Sequence, residues 1–475
     1  MNTKYKLMKN FALITLSFLF SFQLSSQESK GYELKFQIKN YPDSVAHLSY
    51  FYGKGQFYRD TAVVNKKGEF VFEDKEDTLE HGMYSVLSTT GKLFDFVVDD
   101  QQFSVSSNHD DIVQSLEVEG SKENKIFFEY FKFLNSRQKK SKELRDKLET
   151  AEGKEKEKII AELDQLDEEV ANYLEDFHKK NEGTLPSNFL KAVKYPEVPE
   201  NPNPSDSSFA YRYFKAHFFD NFDFTDGRLV RTNTFHEKIM YYLDKLTYQQ
   251  ADSIIKSVDY ILEKSQQSPQ LFKYALSFLT SHYERSERMG MDAVFVHLVK
   301  NYFAKGMAEE WYSEKNLKKL VDKAETLDPL LIGKKAPNIV VKDTAQKKFL
   351  QLYDVEAKYT IVYIWSPDCG HCKKATPELL KMYHKYRDMG VDLKVFAVGN
   401  EYENEAWINF INQHKLDFIN GSDGGDFTSN FRQLYDVFST PQTYLLDEDK
   451  IILAKKISIE GLDKMIEFLI NNEEK

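Results

Sequence analysis

The sequence predicts a multidomain protein: an N-terminal antiparallel β domain, a central all-α domain and a C-terminal α/β domain. Three observations carry that expectation. The chain has 475 residues, room for two to four domains at roughly 100 to 200 residues each. Its hydrophobic period shifts from two to about 3.6 and then to alternating strand and helix. Its two cysteines stand together in the last third, which excludes a disulfide-rich scaffold. The expected divisions are a leader at 1–26, a β-rich domain at 27–120, a helical domain at 121–330 and an α/β domain at 331–475. A hydrophobic share of 41% with 29% charged residues fits folded globular domains rather than a disordered chain. A net charge of -11 argues against a nucleic-acid partner, which needs a clustered basic surface.

Residues 1–26 carry Lys4, Lys6 and Lys9, then the apolar run Phe11 to Phe22, then Ser25 and Ser26 before Gln27. This is the three-part pattern of a secretory signal peptide, with a cut expected after Ser26. The run is too short to cross a hydrocarbon core about 30 Å thick at about 1.5 Å per residue. No later segment approaches the length of a spanning helix. The expectation is an exported protein of the periplasm or cell envelope, with no integral membrane span once the leader is removed.

Between Tyr32 and Glu119 apolar and polar residues alternate in short stretches, as in Tyr32 to Ile38 and Glu69 to Glu73. Period two is the signature of half-buried strands. Further strands are expected at Ala46 to Phe51, Tyr84 to Leu87, Leu93 to Val98 and Phe103 to Ser106. Asn65 to Gly68 reads as a hairpin loop, with Gly68 free to take positive φ.

From Ser121 the spacing turns helical, clearest in the stripe Ile159, Ile160, Leu163, Leu166, Val170, Tyr173, Leu174 and Phe177. Gly153 separates two charged stretches that read as an exposed helical hairpin. The Pro-rich segment Tyr195 to Pro204 cannot continue a helix, because proline lacks the donor and clashes with the preceding turn. Aromatic-rich helices are expected at Phe214 to Phe222 and Leu271 to His282. His217, His236, His282 and His297 lack the close spacing of metal ligands, so no metal and no cofactor is expected.

After Leu331 the expected order is a strand at Tyr359 to Trp365, a helix through Lys373 to Asp388, a strand at Leu393 to Val398 and a helix at Glu405 to His414. A strand pair at Thr443 to Leu446 and Ile451 to Lys455 and a closing helix at Gly461 to Asn471 complete the domain. Cys369-Gly370-His371-Cys372 stands where the first helix opens. There the free N–H groups and macrodipole of a helix stabilise an anion, so a thiolate forms at lower pH than a free thiol allows. A second sulfur one turn on can attack the mixed disulfide the first one makes. Cys369 is therefore the candidate nucleophile and Cys372 the candidate resolving thiol.

Other readings of the pair carry less. Zinc needs four ligands, and no second pair exists. A structural disulfide across four adjacent residues closes too small a loop to stabilise much. Peroxiredoxins carry Pro-x-x-x-Thr-x-x-Cys, and here Val362 and Ser366 stand in those two places.

Trp365 ahead of the pair, Cys369-Gly-His-Cys372, Pro377 inside the following helix and Ser439-Thr440-Pro441 before a strand together resemble thioredoxin-fold proteins. Ile332 to Pro337 and Tyr444 to Asp447 are similar to the exported TlpA/ResA-type thiol-disulfide oxidoreductases, and the upstream zones look like those of multidomain Bacteroidetes members. The resemblance covers about 331–475. It implies a cis Thr440–Pro441 bond facing the sulfurs, protein thiol or disulfide substrates and a thiol electron donor. Gly370, His371 and Trp365 become candidate tuning residues, and Thr440 and Pro441 candidate substrate-facing ones.

The sequence departs from the pattern at two places. Tyr363 stands where thioredoxin has a buried Asp, and Ala375 where the ResA type has a Glu. The group that deprotonates Cys372 is therefore open, with Glu401, Glu403 and Glu405 as candidates. His371 raises the question of direction, since an imidazolium beside Cys369 would stabilise the reduced form and pull toward isomerase or oxidase. The resulting expectation is a disulfide reductase. The alternatives are an isomerase or oxidase, or a binding or assembly protein with a subsidiary redox domain.

Overall fold

A computed structural model describes residues 31–400, 405–424 and 429–473. The expected signal peptide, Glu401 and Glu403 lie outside the described residues.

Alternation does its work first in β1 (Tyr32–Lys39), where Tyr32, Leu34, Phe36 and Ile38 are buried and Lys35, Gln37 and Lys39 are exposed. The chain continues through β2 (Val45–Tyr52), β3 (Gly55–Val63), β4 (Glu69–Asp74), β5 (Gly82–Ser88), β6 (Gly91–Val98), β7 (Gln102–Asn108), α1 (Ile112–Ser115) and β8 (Glu117–Glu119). Two four-stranded sheets form, β4-β1-β7-β8 and β3-β2-β5-β6. Their inner faces share one aromatic core, with Phe36 of β1 edge-on to Phe96 of β6 at 5.5 Å. Pairing is antiparallel throughout the two sheets except for β1 with β7, which is parallel.

The hairpin expected at Asn65 to Gly68 is corrected. The turn forms, closed by Gly68 N–H to Asn65 O at 2.9 Å with φ +75 at Gly68, but β3 pairs with β2 and β4 with β1. The segment carries the chain from one sheet to the other, because Phe70 and Phe72 find their burial against Phe36. β3 escapes sequence reading because it is an edge strand with one buried residue, Ala62.

The helical region holds α2 (Lys122–Leu148), α3 (Gly153–Lys180), α4 (Leu185–Ala192), α5 (Phe209–Ala216), α6 (Thr234–Lys245), α7 (Ala251–Ser265), α8 (Pro269–Glu284), α9 (Asp292–Leu298) and α10 (Glu314–Leu327). α2 and α3 form the expected hairpin around Gly153, joined by the stacked pair Phe133 and Tyr173 at 3.8 Å. Ile159, Leu166 and Phe177 of the apolar stripe are buried while Ile160 is exposed, as befits a hairpin packed along one narrow seam. The helix expected at Phe214 to Phe222 ends at Ala216. Turns follow, yet Phe218, Phe219 and Phe222 are buried, so the aromatic stretch is core without being helix. His217 pairs with Asp220, His236 with Tyr274 and His297 with Asp259. The β2–β3 turn docks on this region through Gly53 N–H to Val230 O at 2.7 Å and Lys54 N–H to Tyr274 Oη at 2.9 Å.

The C-terminal domain contains β9 (Val340–Asp343), β10 (Phe349–Gln351), β11 (Tyr359–Trp365), α11 (Gly370–Asp388), β12 (Leu393–Gly399), α12 (Glu405–His414), β13 (Ile419–Ser422), α13 (Phe431–Leu434), β14 (Gln442–Leu446), β15 (Ile452–Lys455) and α14 (Ile459–Glu473). The sheet order is β10-β9-β13-β12-β11-β14-β15. β11 lies between parallel β12 and antiparallel β14 and is buried along its whole length. Its alternating side chains feed two cores: Ile361, Tyr363 and Trp365 face α11, α12 and α14, while Val362 and Ile364 face Tyr435 and Tyr444. The buried Lys455 ammonium ties this domain to the helical one, bonding Leu330 O at 2.6 Å and pairing with Asp292 of α9. Among the described residues no helix is long and apolar enough to cross a membrane.

Candidate functional site

β11 ends at Trp365, at the C-terminal end of a central strand, and Ser366-Pro367-Asp368 turns the chain so that Cys369 becomes the N-cap of α11. Cys369 has extended backbone angles, φ -78 and ψ 119, and its Sγ accepts the Cys372 N–H at 3.4 Å. That is the position an Asp or Ser usually fills to satisfy a free helix donor. The Cys369 thiol also bonds Thr440 O at 3.1 Å, across a cis Thr440–Pro441 peptide. Cys369 is half-buried, and Cys372, one turn on, is buried completely.

The same helix turn gives the two sulfurs opposite acidities. Burial raises Cys369, but hydrogen bonds from the Thr440 side chain and from the Cys372 and His371 backbone N–H groups outweigh it, so the thiol lies below its ordinary value. Burial dominates Cys372 and, with Cys369 beside it, pushes that thiol up to about 12. Cys369 therefore gives up its proton more readily than an ordinary thiol, while Cys372 holds its own.

The candidate tuning residues divide. Gly370 and His371 are exposed in the first turn, and His371 acts on Cys369 through its backbone N–H. Trp365 is fully buried and stacks on Tyr363 at 6.3 Å, below the pair. Tyr363, at the place of the missing Asp, hydrogen-bonds Thr376 Oγ1 at 2.8 Å, and Thr376 in turn donates to Cys372 O at 2.8 Å. Burial pushes the Tyr363 phenol up as well. Glu405 is exposed at the start of α12.

Sequence reasoning missed a groove of about 660 Å³ beside the pair, between the first turns of α11, the segment 436–443 and the β15–α14 turn. His371, Ala375, Phe438, Pro441 and Ile457 are on its walls. Its only signal in the sequence was Phe438, two residues before Thr440 and easily taken for a core aromatic.

Three family models match the chain. A domain of unknown function, DUF4369, matches residues 32–127, and a second, DUF5106, matches 137–328. The AhpC/TSA family matches 332–455. The thiol-disulfide oxidoreductase ResA of Bacillus thuringiensis strain Al Hakam is 30% identical over 142 residues, which span 30% of this chain and 79% of that protein. ResA of Bacillus subtilis strain 168 is 29% identical over 121 residues, 25% of this chain and 64% of the relative. Among solved structures, a domain of a possible thiol-disulfide isomerase from Cytophaga hutchinsonii is 38% identical with a TM-score of 0.28, covering 31% of this chain and 99% of that one. A thioredoxin-like protein from Bacteroides caccae is 19% identical with a TM-score of 0.47, covering 58% and 98%.

Proposed function

The chain belongs, through its C-terminal domain, to the family of the thiol-disulfide oxidoreductase ResA, and we propose that it works as an exported disulfide reductase with Cys369 as nucleophile and Cys372 as resolving thiol. The observation that carries this reading is the split pair: a cysteine capping α11 with its acidity increased, and a buried neutral cysteine one turn behind it.

In this scheme the Cys369 thiolate attacks one sulfur of a partner's disulfide. The partner's other sulfur leaves as a thiolate and takes a proton from solvent. Cys372 then gives up its proton and attacks Cys369 Sγ, releasing the second partner thiolate and closing the Cys369–Cys372 disulfide. Two electrons pass to the partner, and an external dithiol returns them. Thr440 and Pro441 border the path of the incoming chain, and Gly370 leaves its approach open, since a Cβ there would meet nothing within 4 Å.

The direction follows the resemblance of residues 331–475 to the TlpA/ResA type, and the raised Cys372 thiol fits either direction, since it keeps its proton until it resolves the mixed disulfide. The His371 imidazole is exposed rather than packed on the pair, which weakens the argument for isomerase or oxidase. Residues 331–475 form the redox unit in this reading, with 27–120 and 121–330 as its upstream domains and 1–26 as a cleaved leader. The equilibrium potential of the pair in glutathione buffers tests direction. A value below about -250 mV with rapid exchange supports the reductase, and one above about -200 mV overturns it. A mature N-terminus at Gln27 in the envelope fraction tests export.

A further inference from the structure

Where the β2–β3 turn meets the end of α8, a cavity of about 270 Å³ is walled by Lys54, Phe278, Ser281, His282, Arg285 and Ser286. Three basic side chains thus converge in a chain of net charge -11, and among the described residues no carboxylate lines the space. Glu284, next to Arg285 in sequence, is paired with Lys323 at 2.8 Å. The end of α8 accounts for His282 and Arg285, because terminal carbonyls attract cations, and Arg285 Nε bonds Ser281 O at 3.2 Å. It does not account for Lys54, which the β domain brings. The backbone holds that residue in place: Gly53 N–H bonds Val230 O at 2.7 Å, Lys54 N–H bonds Tyr274 Oη at 2.9 Å, and Tyr274 Oη is itself bonded to His236 Nδ1 at 3.0 Å. Gly53 has φ +55, and a Cβ on it would fall 1.9 Å from the Tyr274 ring, so the turn depends on this glycine to bring Lys54 so close. The Lys54 ammonium stands 5.9 Å from the centre of the Phe278 ring, at the outer limit of a cation–π contact. Burial, with Lys54 and Arg285 beside it, holds the His282 imidazole below its ordinary value and outweighs Asp244, which acts from outside the walls. Like charges held together this way cost free energy unless an anion offsets them.

We propose that this cavity binds a phosphate group, free or carried as a small monoester, which bridges the β domain and the helical domain. The site lies outside the C-terminal domain and does not rest on the thiol-exchange reading. A phosphate is tetrahedral and directs its oxygens to all sides, and donors surround the space: the Lys54 ammonium from the β domain, and the Arg285 guanidinium, the His282 imidazole and two hydroxyls from the helical one. Ser281 Oγ accepts from Arg285 Nη2, and Ser286 Oγ accepts the Arg288 N–H at 3.3 Å, so each hydroxyl keeps its own hydrogen for an acceptor in the cavity. A carboxylate, with its oxygens in one plane, would leave more of these donors unmet. The space exceeds that of several water molecules at about 30 Å³ each, enough for a phosphate with a short carbon skeleton against Phe278.

The test is calorimetric titration of the full chain at low ionic strength with inorganic phosphate and with glycerol phosphate, against chloride at matched ionic strength. Saturable binding of one equivalent is expected, and the tighter of the two probes tells the free ion from the ester. Lys54→Gln and Arg285→Gln are each expected to weaken binding about tenfold or more, while Lys54→Arg keeps most of it. Lys154→Gln removes the same charge from the exposed start of α3 and is expected to stay within about twofold of wild type. A second readout is the unfolding temperature, which phosphate should raise in the wild type and not in Lys54→Gln. No saturable binding of either probe up to about 10 mM overturns the proposal, and so does an equal loss in Lys154→Gln, which would mark a diffuse effect of net charge.

Discussion

Cys369 and Cys372 lie one turn apart at the start of α11, yet their surroundings shift their acidities in opposite directions. Cys369 stands at the helix end, where N–H donors have no carbonyl to meet and a sulfur can collect them. Cys372 is inside the helix against Trp365 and Tyr363, where burial disfavours its charge. The lesson is that a Cys-x-x-Cys pair acquires direction from the helix terminus rather than from the sulfurs, so changes around each one should have unequal effects.

Replacing the sulfurs breaks the contrast most severely. Cys369→Ser is expected to lower exchange at least about a thousandfold. Cys372→Ser leaves the first attack intact and accumulates a mixed disulfide with the partner, visible on a non-reducing gel. Equal loss from both, with no trapped species, would remove the distinction.

Stability against pH sharpens it. The Cys372 thiol is raised in the folded protein, so above the ordinary value of 9.0 the unfolded chain loses this proton first. Its contribution is intact below that pH and declines as pH rises toward about 12, by at most about 1.4 kcal/mol per pH unit. Melting of the reduced protein at pH 8 and pH 10 should separate wild type from Cys372→Ala, with the wild type losing more. Cys369, lowered when folded, has the opposite sign: it adds stability once pH passes the folded value and keeps it above the unfolded one.

Smaller effects are expected from the supporting side chains. Thr440→Ala removes a hydrogen bond to the Cys369 thiolate and should slow exchange at pH 7 by about 3- to 10-fold, with the rate restored at higher pH. Tyr363→Phe deletes the bond to Thr376 and should cost about 1 kcal/mol in denaturant unfolding.

The sequence was most legible where one physical demand governs a whole segment. Tyr359 to Trp365 reads as a buried strand because every residue is buried. The redox pair reads as a site because chain order alone places it at a helix start. Legibility fails where neighbours decide. Ile419–Ser422 carries Asn, Gly and Ser, yet pairs with β12 and β9 and is partly buried through the sheet. Gly55–Val63 lacks alternation because it is an edge, and only the pairing with β2 identifies it as strand. The Thr440 hydrogen bond and the exposure of Phe438 arise from a loop folding back on α11 over a long sequence separation, which no local pattern encodes. The upstream domains are legible as architecture only, because the aromatic residues of their two main cores are spent on packing.

The most direct test of the split pair is a brief, substoichiometric iodoacetamide pulse on the fully reduced protein at pH 7, followed by peptide mass spectrometry. The structure predicts label on Cys369 with Cys372 unmodified, and a Cys369 rate that reaches half its plateau below the ordinary thiol value of 9.0. Label on Cys372 first, or on both at equal rates, would contradict it.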